Sequence, residues 1–250
     1  MKAMIPRGLL FGVCVLLAIS YAHANPIEDC NQSADAERQI EACTEVLQQD
    51  AHGSNAALAY GLRGEAYRDK GDLDHAIADF SQAIKIDRAW PLNDPGSFRV
   101  YVNRGIAYRD KGDLDGAIAD FSKAIEFEPE FADAFVNRCV VYADKGQYDL
   151  ALADCTKAIA INPKDAVAYN DRGVAYEKNG DIDSALDDYT KAIELDPSYR
   201  DAYANRAVLY DHKGDREHAV DDYRQALAKN PSREDRLDLE AALERLNSGP

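Results

Sequence analysis

Apolar residues recur three and four positions apart along most of this chain. In 97–111 the apolar positions are Tyr101, Ile106 and Tyr108, with Gly105 among them. In 113–127 they are Leu114, Ala117, Ile118, Phe121, Ala124 and Ile125. That spacing marks one face of an α-helix, because a half-buried strand alternates every second residue. Gly112-Asp113 separates the two stripes. Glycine adopts the left-handed conformation that ends a first helix. Aspartate caps a second helix, and its charge suits that helix's positive end. Gly71-Asp72, Gly180-Asp181 and Gly214-Asp215 repeat the break, whereas Gly146-Gln147 predicts a weaker cap. Pro129, Pro163, Pro197 and Pro231 then close each second helix.

The whole pattern is written five times, anchored at Gly64, Gly105, Cys139, Gly173 and Ala207. The first interval is 41 residues and the other three are 34 each. A fixed period in this range predicts stacked antiparallel helical hairpins, an all-α solenoid. An arginine precedes every anchor: Arg63, Arg104, Arg138, Arg172 and Arg206. Each second helix carries an aspartate: Asp79, Asp120, Asp154, Asp188 and Asp222. Arg104 lies eight residues before Gly112 and Asp120 eight after it. Antiparallel helices of equal rise bring the two to one height, so an Arg–Asp bridge is predicted inside each hairpin. The alternative is arginines that grip an acidic ligand.

The flanks differ. Lys2 and Arg7, the apolar run Leu9–Ile19 and Ala22-His23-Ala24 predict a signal peptide over 1–24, hence a periplasmic or secreted protein. The run is short for a membrane span, so no stable membrane insertion is expected after cleavage. Residues 25–54 predict a degenerate N-terminal helical cap, because Gln39–Thr44 echoes Ala151–Thr156. The repeats occupy 55–231, with a loop insertion near 90–96 that holds the single Trp90. Residues 232–250 predict a C-terminal capping helix.

The net charge is −16, or −18 without Lys2 and Arg7. Such a balance disfavours nucleic acid, which needs a basic footprint. It suits a basic partner, or simply a solvated outer surface. Acidic pairs such as Asp72 and Asp74 stand wrongly for an EF-hand, and the histidines lack ligand spacing, so neither metal nor cofactor is expected. Without Cys14, four cysteines remain for an oxidising compartment. Spacing suggests Cys30–Cys43 and Cys139–Cys155; buried free thiols are the alternative.

These residues resemble the tetratricopeptide repeat (TPR) family across about 55–231. Gly173, Tyr176, Ala185, Tyr189 and Pro197 stand where family repeats place Gly, Tyr, Ala, an aromatic and Pro. The early aromatic corresponds to Tyr60, Tyr101, Phe135, Tyr169 and Tyr203. Arginine replaces the usual leucine before the glycine, and the third block has Cys139 for Gly and Cys155 for the aromatic. The resemblance implies a concave groove lined by each hairpin's first helix. One stripe of those helices carries Asn103, Asn137, Asp171 and Asn205. Ile106, Val140, Val174 and Val208 lie one turn on, with Val102 and Val136 beside them. Asparagine donates and accepts at once, so such a row suits the backbone of an extended peptide. Alternatively the asparagines bridge neighbouring helices and the valines pack between repeats. The family's basic carboxylate clamp looks absent, since Gly61, Glu65 and Asp133 occupy its positions.

No catalytic constellation is visible, and repeats plus caps fill the expected mature chain. The sequence therefore predicts a non-enzymatic adaptor or scaffold that binds protein or extended peptide in its groove. The competing expectation is a structural subunit of a cell-envelope assembly, held through its ends or outer face.

Overall fold

The computed structural model describes residues 26–33, 35–52, 54–89 and 97–248. The expected leader over 1–24, with Cys14, and the insertion 90–96, with Trp90, lie outside the described residues. Those residues form thirteen α-helices. An N-terminal hairpin pairs α1 (Pro26–Gln32) with α2 (Ala36–Gln49). Five hairpins follow: α3 (Ser54–Asp69) with α4 (Leu73–Ala89), α5 (Ser97–Asp110) with α6 (Leu114–Phe127), α7 (Ala132–Asp144) with α8 (Tyr148–Ile161), α9 (Ala166–Lys178) with α10 (Ile182–Leu195), and α11 (Arg200–His212) with α12 (Arg216–Ala228). The last helix, α13 (Arg233–Ser248), covers the C-terminal end. It does so by packing Leu239 and Leu246 with Tyr223 and Ala226 of α12. No described helix is long and apolar enough to cross a membrane.

Each hairpin turns as its sequence demands. Gly112 sits at φ 85°, in the left-handed region where a Cβ is penalised, and the four equivalent glycines lie between 71° and 87°. Asp113 then caps α6 by accepting from the backbone N–H of Gly116 at 3.0 Å. Gln147 makes no such side-chain bond to α8, which fits the weaker third cap. First helices of successive hairpins also touch one another, α3 to α5, α5 to α7, α7 to α9 and α9 to α11. That proximity places them along the inner face of the curved stack.

Inside each hairpin an apolar ring lies on a small residue. A Cβ built on Gly105 would stand 2.7 Å from the Phe121 ring, and one on Gly173 would stand 2.7 Å from Tyr189. Phe121 and Tyr189 are fully buried, and burying a ring of this size contributes about 1.5–3 kcal/mol. In the third hairpin the same place is bridged covalently: Cys139 bonds to Cys155, with Cα atoms 5.5 Å apart. A second bond, Cys30–Cys43, ties α1 to α2 across a Cα separation of 4.7 Å.

The arginine column links helices both within and between hairpins. In all five hairpins arginine Nε lies 2.7–2.8 Å from aspartate Oδ2. Its Nη2 lies 2.8–2.9 Å from Oδ1. The aspartates are only 4–7% exposed. The remaining nitrogen, Nη1, reaches backwards to a hydroxyl of the preceding hairpin. Arg63 donates to Thr44, Arg104 to Ser81, Arg138 to Ser122, Arg172 to Thr156 and Arg206 to Thr190. Ser81 and Ser122 pass their own protons to the carbonyls of Ile77 and Ile118. Each guanidinium is thus committed to structure, and the acidic-ligand alternative falls away for this column. Lysine pairs such as Lys70–Glu37 and Lys178–Asp144 also join successive hairpins. They are exposed and screened by solvent, so they contribute little.

Candidate peptide-binding groove

The inner face is built from α3, α5, α7, α9 and α11. On α7, Asp133, Val136, Asn137 and Val140 fall at i, i+3, i+4 and i+7, one stripe of a helix. This stripe forms one wall of a cavity of about 410 Å³. Arg109 from the end of α5 and Asp165, Val167 and Asp171 from the start of α9 complete it. Asp165 is also the N-cap of α9, with Oδ1 accepting from Val167 N at 3.0 Å. Val136, Asn137, Val140 and Asp171 of the expected groove set therefore meet in one cavity, while Val102, Asn103, Ile106, Val174, Asn205 and Val208 do not line it.

The asparagine row is already engaged. Asn103 Nδ2 donates to Glu65 at 2.5 Å, and its Oδ1 accepts from Arg68 at 3.4 Å. Asn137 Nδ2 donates to the Asp133 carbonyl at 2.8 Å and its Oδ1 accepts from Arg109 at 3.3 Å. Asn205 donates to Asn170, and Asn170 donates to Asp171 at 3.1 Å. The contacts of Asn103 with α3, of Asn137 with Arg109 and of Asn205 with Asn170 bridge neighbouring helices, while those to the Asp133 carbonyl and to Asp171 stay within one helix. Several of the valines are likewise part of the core: Val102 and Val136 are buried, and Ile106, Val174 and Val208 pack against inter-helix clusters.

Sequence periodicity missed Arg68, Arg109 and Asn170 and placed Glu65 only at a position of the absent carboxylate clamp, because none of them recurs in every repeat. The position five residues after the buried arginine reads Arg68, Arg109, Ala143, Glu177 and Asp211. Its sign reverses along the array. The cavity sits at the changeover, with Arg109 on one side and Asp165 and Asp171 on the other.

Burial pushes the Asp171 carboxyl up to about 6. The Asn170 hydrogen bond opposes this, Asp165 and Asp201 add repulsion, and Arg109 attracts. Burial also raises Glu65, against Arg68 and Asn103, which favour its charged form. A second cavity, about 290 Å³, lies at the α7–α8 turn around Gln147, Tyr148, Leu150 and Asn179, on the edge of the stack. Among the described residues, no three of His, Cys, Asp and Glu converge as a metal site.

A stack of helical hairpins with a polar, cavity-bearing inner face defines a scaffold for protein interaction. The tetratricopeptide repeat family matches residues 57–89, 132–165, 166–199 and 200–233, and a TPR repeat description matches 105–146. The chain belongs to the tetratricopeptide repeat family, whose members are generally non-enzymatic scaffolds. Among solved structures, MamA is 30% identical with a TM-score of 0.55, over 66% of this chain and 93% of that one. YrrB, described as a TPR protein with an unusual peptide-binding site, is 25% identical with a TM-score of 0.55, over 81% of this chain and 99% of that one. A tetratricopeptide repeat protein from Parabacteroides merdae shares the fold with a TM-score of 0.73 at 18% identity, over 88% of this chain and 84% of that one. No curated protein matches the chain significantly.

Proposed function

We propose that this protein is an exported adaptor, periplasmic or secreted, that holds an extended segment of a partner protein against its inner face. The cavity shared by α5, α7 and α9 carries this reading, because it is a concave space on the inner face that sets three valines beside an asparagine, an arginine and three aspartates. The likeness to YrrB, a peptide-binding relative by its description, supports it. Two disulfide bonds suit an oxidising compartment. The acidic surface favours a basic partner over an acidic one, and sets nucleic acid aside.

The structural-subunit reading has one feature of its own, Leu237, which stands 59% exposed on the end helix α13. Two variants separate the readings: Val140→Asp in the groove and Leu237→Asp at the end, each used to capture partners from an envelope extract of the source cells. The adaptor reading expects the partner to be lost with Val140→Asp and kept with Leu237→Asp, at unchanged helicity. The opposite pattern would make the protein a structural subunit.

A further inference from the structure

We propose that the α5–α7–α9 cavity is a specificity pocket for one basic side chain of the bound segment, with Asp171 as its selecting residue. The inference rests on the groove reading above and adds the chemistry of the occupant.

Two properties of the cavity select that occupant. Its apolar walls are Val136, Val140 and Val167, and Val167 is 45% exposed although it is aliphatic. A lysine or arginine stem of methylenes covers such walls and carries its charge past them. The charged lining is three carboxylates, Asp133, Asp165 and Asp171, against a single cation, Arg109. Arg109 is spent locally: Nε and Nη2 lie 3.2 and 3.1 Å from Asp110, and Nη1 lies 3.3 Å from Asn137. Asp171 accepts from the neutral amide of Asn170. Among the described residues, it has no cation at ion-pair distance.

The buried aspartates of the second helices differ from Asp171 in their partners. All five arginine-paired aspartates are held by two nitrogens each. Asp171 is partly withdrawn from water without that compensation, in a wall of the cavity. An incoming ammonium or guanidinium supplies the missing countercharge, and displacing water from a valine-lined space strengthens the pair. A neutral or acidic side chain of equal size gains only the apolar contact, and an acidic one meets repulsion.

The probe is a capped pentapeptide, Ala-Val-Xaa-Val-Ala, with Xaa arginine, lysine, citrulline or glutamate, titrated into the full disulfide-bonded chain. Methyl NMR of Val136, Val140 and Val167 reports occupancy of the cavity. The arginine and lysine peptides are expected to shift these methyls and to bind about tenfold tighter than the citrulline peptide, the usual scale for a charge-assisted contact. Asp171→Asn is expected to erase that preference while leaving the circular dichroism unchanged. Lowering the pH from about 7.5 to about 5 is expected to weaken the arginine peptide but not the citrulline peptide, as Asp171 takes up a proton. The groups around Asp171 in that titration are Asp165, Asp201 and Arg109, with Tyr189 and Tyr199. Asp171→Asn should flatten the pH response. Equal binding of all four peptides with these methyls shifted overturns the basic pocket and leaves the groove reading standing. Binding that shifts none of these methyls, or no binding at millimolar peptide, also overturns the pocket; the groove is then judged by the Val140→Asp capture alone.

Discussion

Arg104 holds both carboxylate oxygens of Asp120, with Nε 2.7 Å from Oδ2 and Nη2 2.8 Å from Oδ1. The guanidinium carbon lies 5.8 Å from the Tyr101 ring centre and 5.7 Å from that of Tyr108. An aspartate 4% exposed is therefore neutralised by a cation that is itself flanked by two aromatic faces. Removing one partner strands a buried charge. Asp120→Ala is expected to lower the unfolding free energy by about 3–5 kcal/mol, and Arg104→Met with Asp120→Leu by much less. Urea denaturation of both variants checks the order; equal losses would mean that the pair is not effectively buried.

Ser122 tests the coupling between hairpins. Its hydroxyl accepts from Arg138 at 2.8 Å and donates to the Ile118 carbonyl at 2.7 Å. Ser122→Ala leaves the Arg138–Asp154 bridge in place and is expected to cost about 1 kcal/mol. Amide hydrogen exchange should accelerate in α6 and in α7, on both sides of the lost bond. Acceleration confined to α6 would show that the arginine finds another acceptor.

Gly105 tests the ring contact. A methyl group there would meet Phe121 at 2.7 Å. Gly105→Ala is expected to destabilise by about 1–3 kcal/mol despite alanine's better helix propensity. Adding Phe121→Leu should recover part of that loss in thermal unfolding. No recovery would point to backbone rather than ring crowding.

The cysteines are tested chemically. Peptide mapping, without reductant, of protein folded under oxidising conditions is expected to yield the 30–43 and 139–155 crosslinks. Each bond closes a short loop and is expected to contribute about 2–4 kcal/mol, read as the fall in thermal midpoint on reduction. A 30–139 or 43–155 crosslink, or four free thiols, would reject this pairing.

Asp171 sets a pH signature on stability. Its folded-state value of about 6 lies above the ordinary 3.8. Between those values the folded chain binds more protons than the unfolded one, so this group's contribution falls as pH rises from about 4 to about 6 and stays at its lowest above that. Asp171→Asn is expected to stabilise the free protein by about 1–3 kcal/mol near neutral pH and by little near pH 4. Denaturation at the two pH values gives the comparison. A variant equally stable to the parent at both would mean that Asp171 carries no burial penalty.

What repeats was legible in the sequence, and what differs between repeats was not. Arg104 and Asp120 could be paired by counting outward from Gly112, because helix rise converts sequence distance into height. Gly112 and Asp113 gave the turn and cap for the same local reason. Asn137 and the Asp133 carbonyl are four residues apart on one helix, but the partner Arg109 comes from α5 and depends on how neighbouring hairpins stack, which spacing does not encode. The hydroxyl acceptors were present in the sequence, two residues after four of the buried aspartates. Their role needed the neighbouring arginine's third nitrogen in view. The meeting of Asp133, Asp165 and Asp171 in one cavity likewise depends on how α7 and α9 are offset, not on any shared period.

The hydroxyl contacts give the stack a direction. Thr44 in α2 receives the first arginine, and Ser81, Ser122, Thr156 and Thr190 receive those that follow. Two residues past Asp222, where the next acceptor would stand, the chain has Arg224. A further hairpin of the same design, arriving at α12, would bring its arginine against another guanidinium. Lengthening the array by one more repeat of this design therefore needs a hydroxyl in place of Arg224, and the removal of α13 from the end it covers.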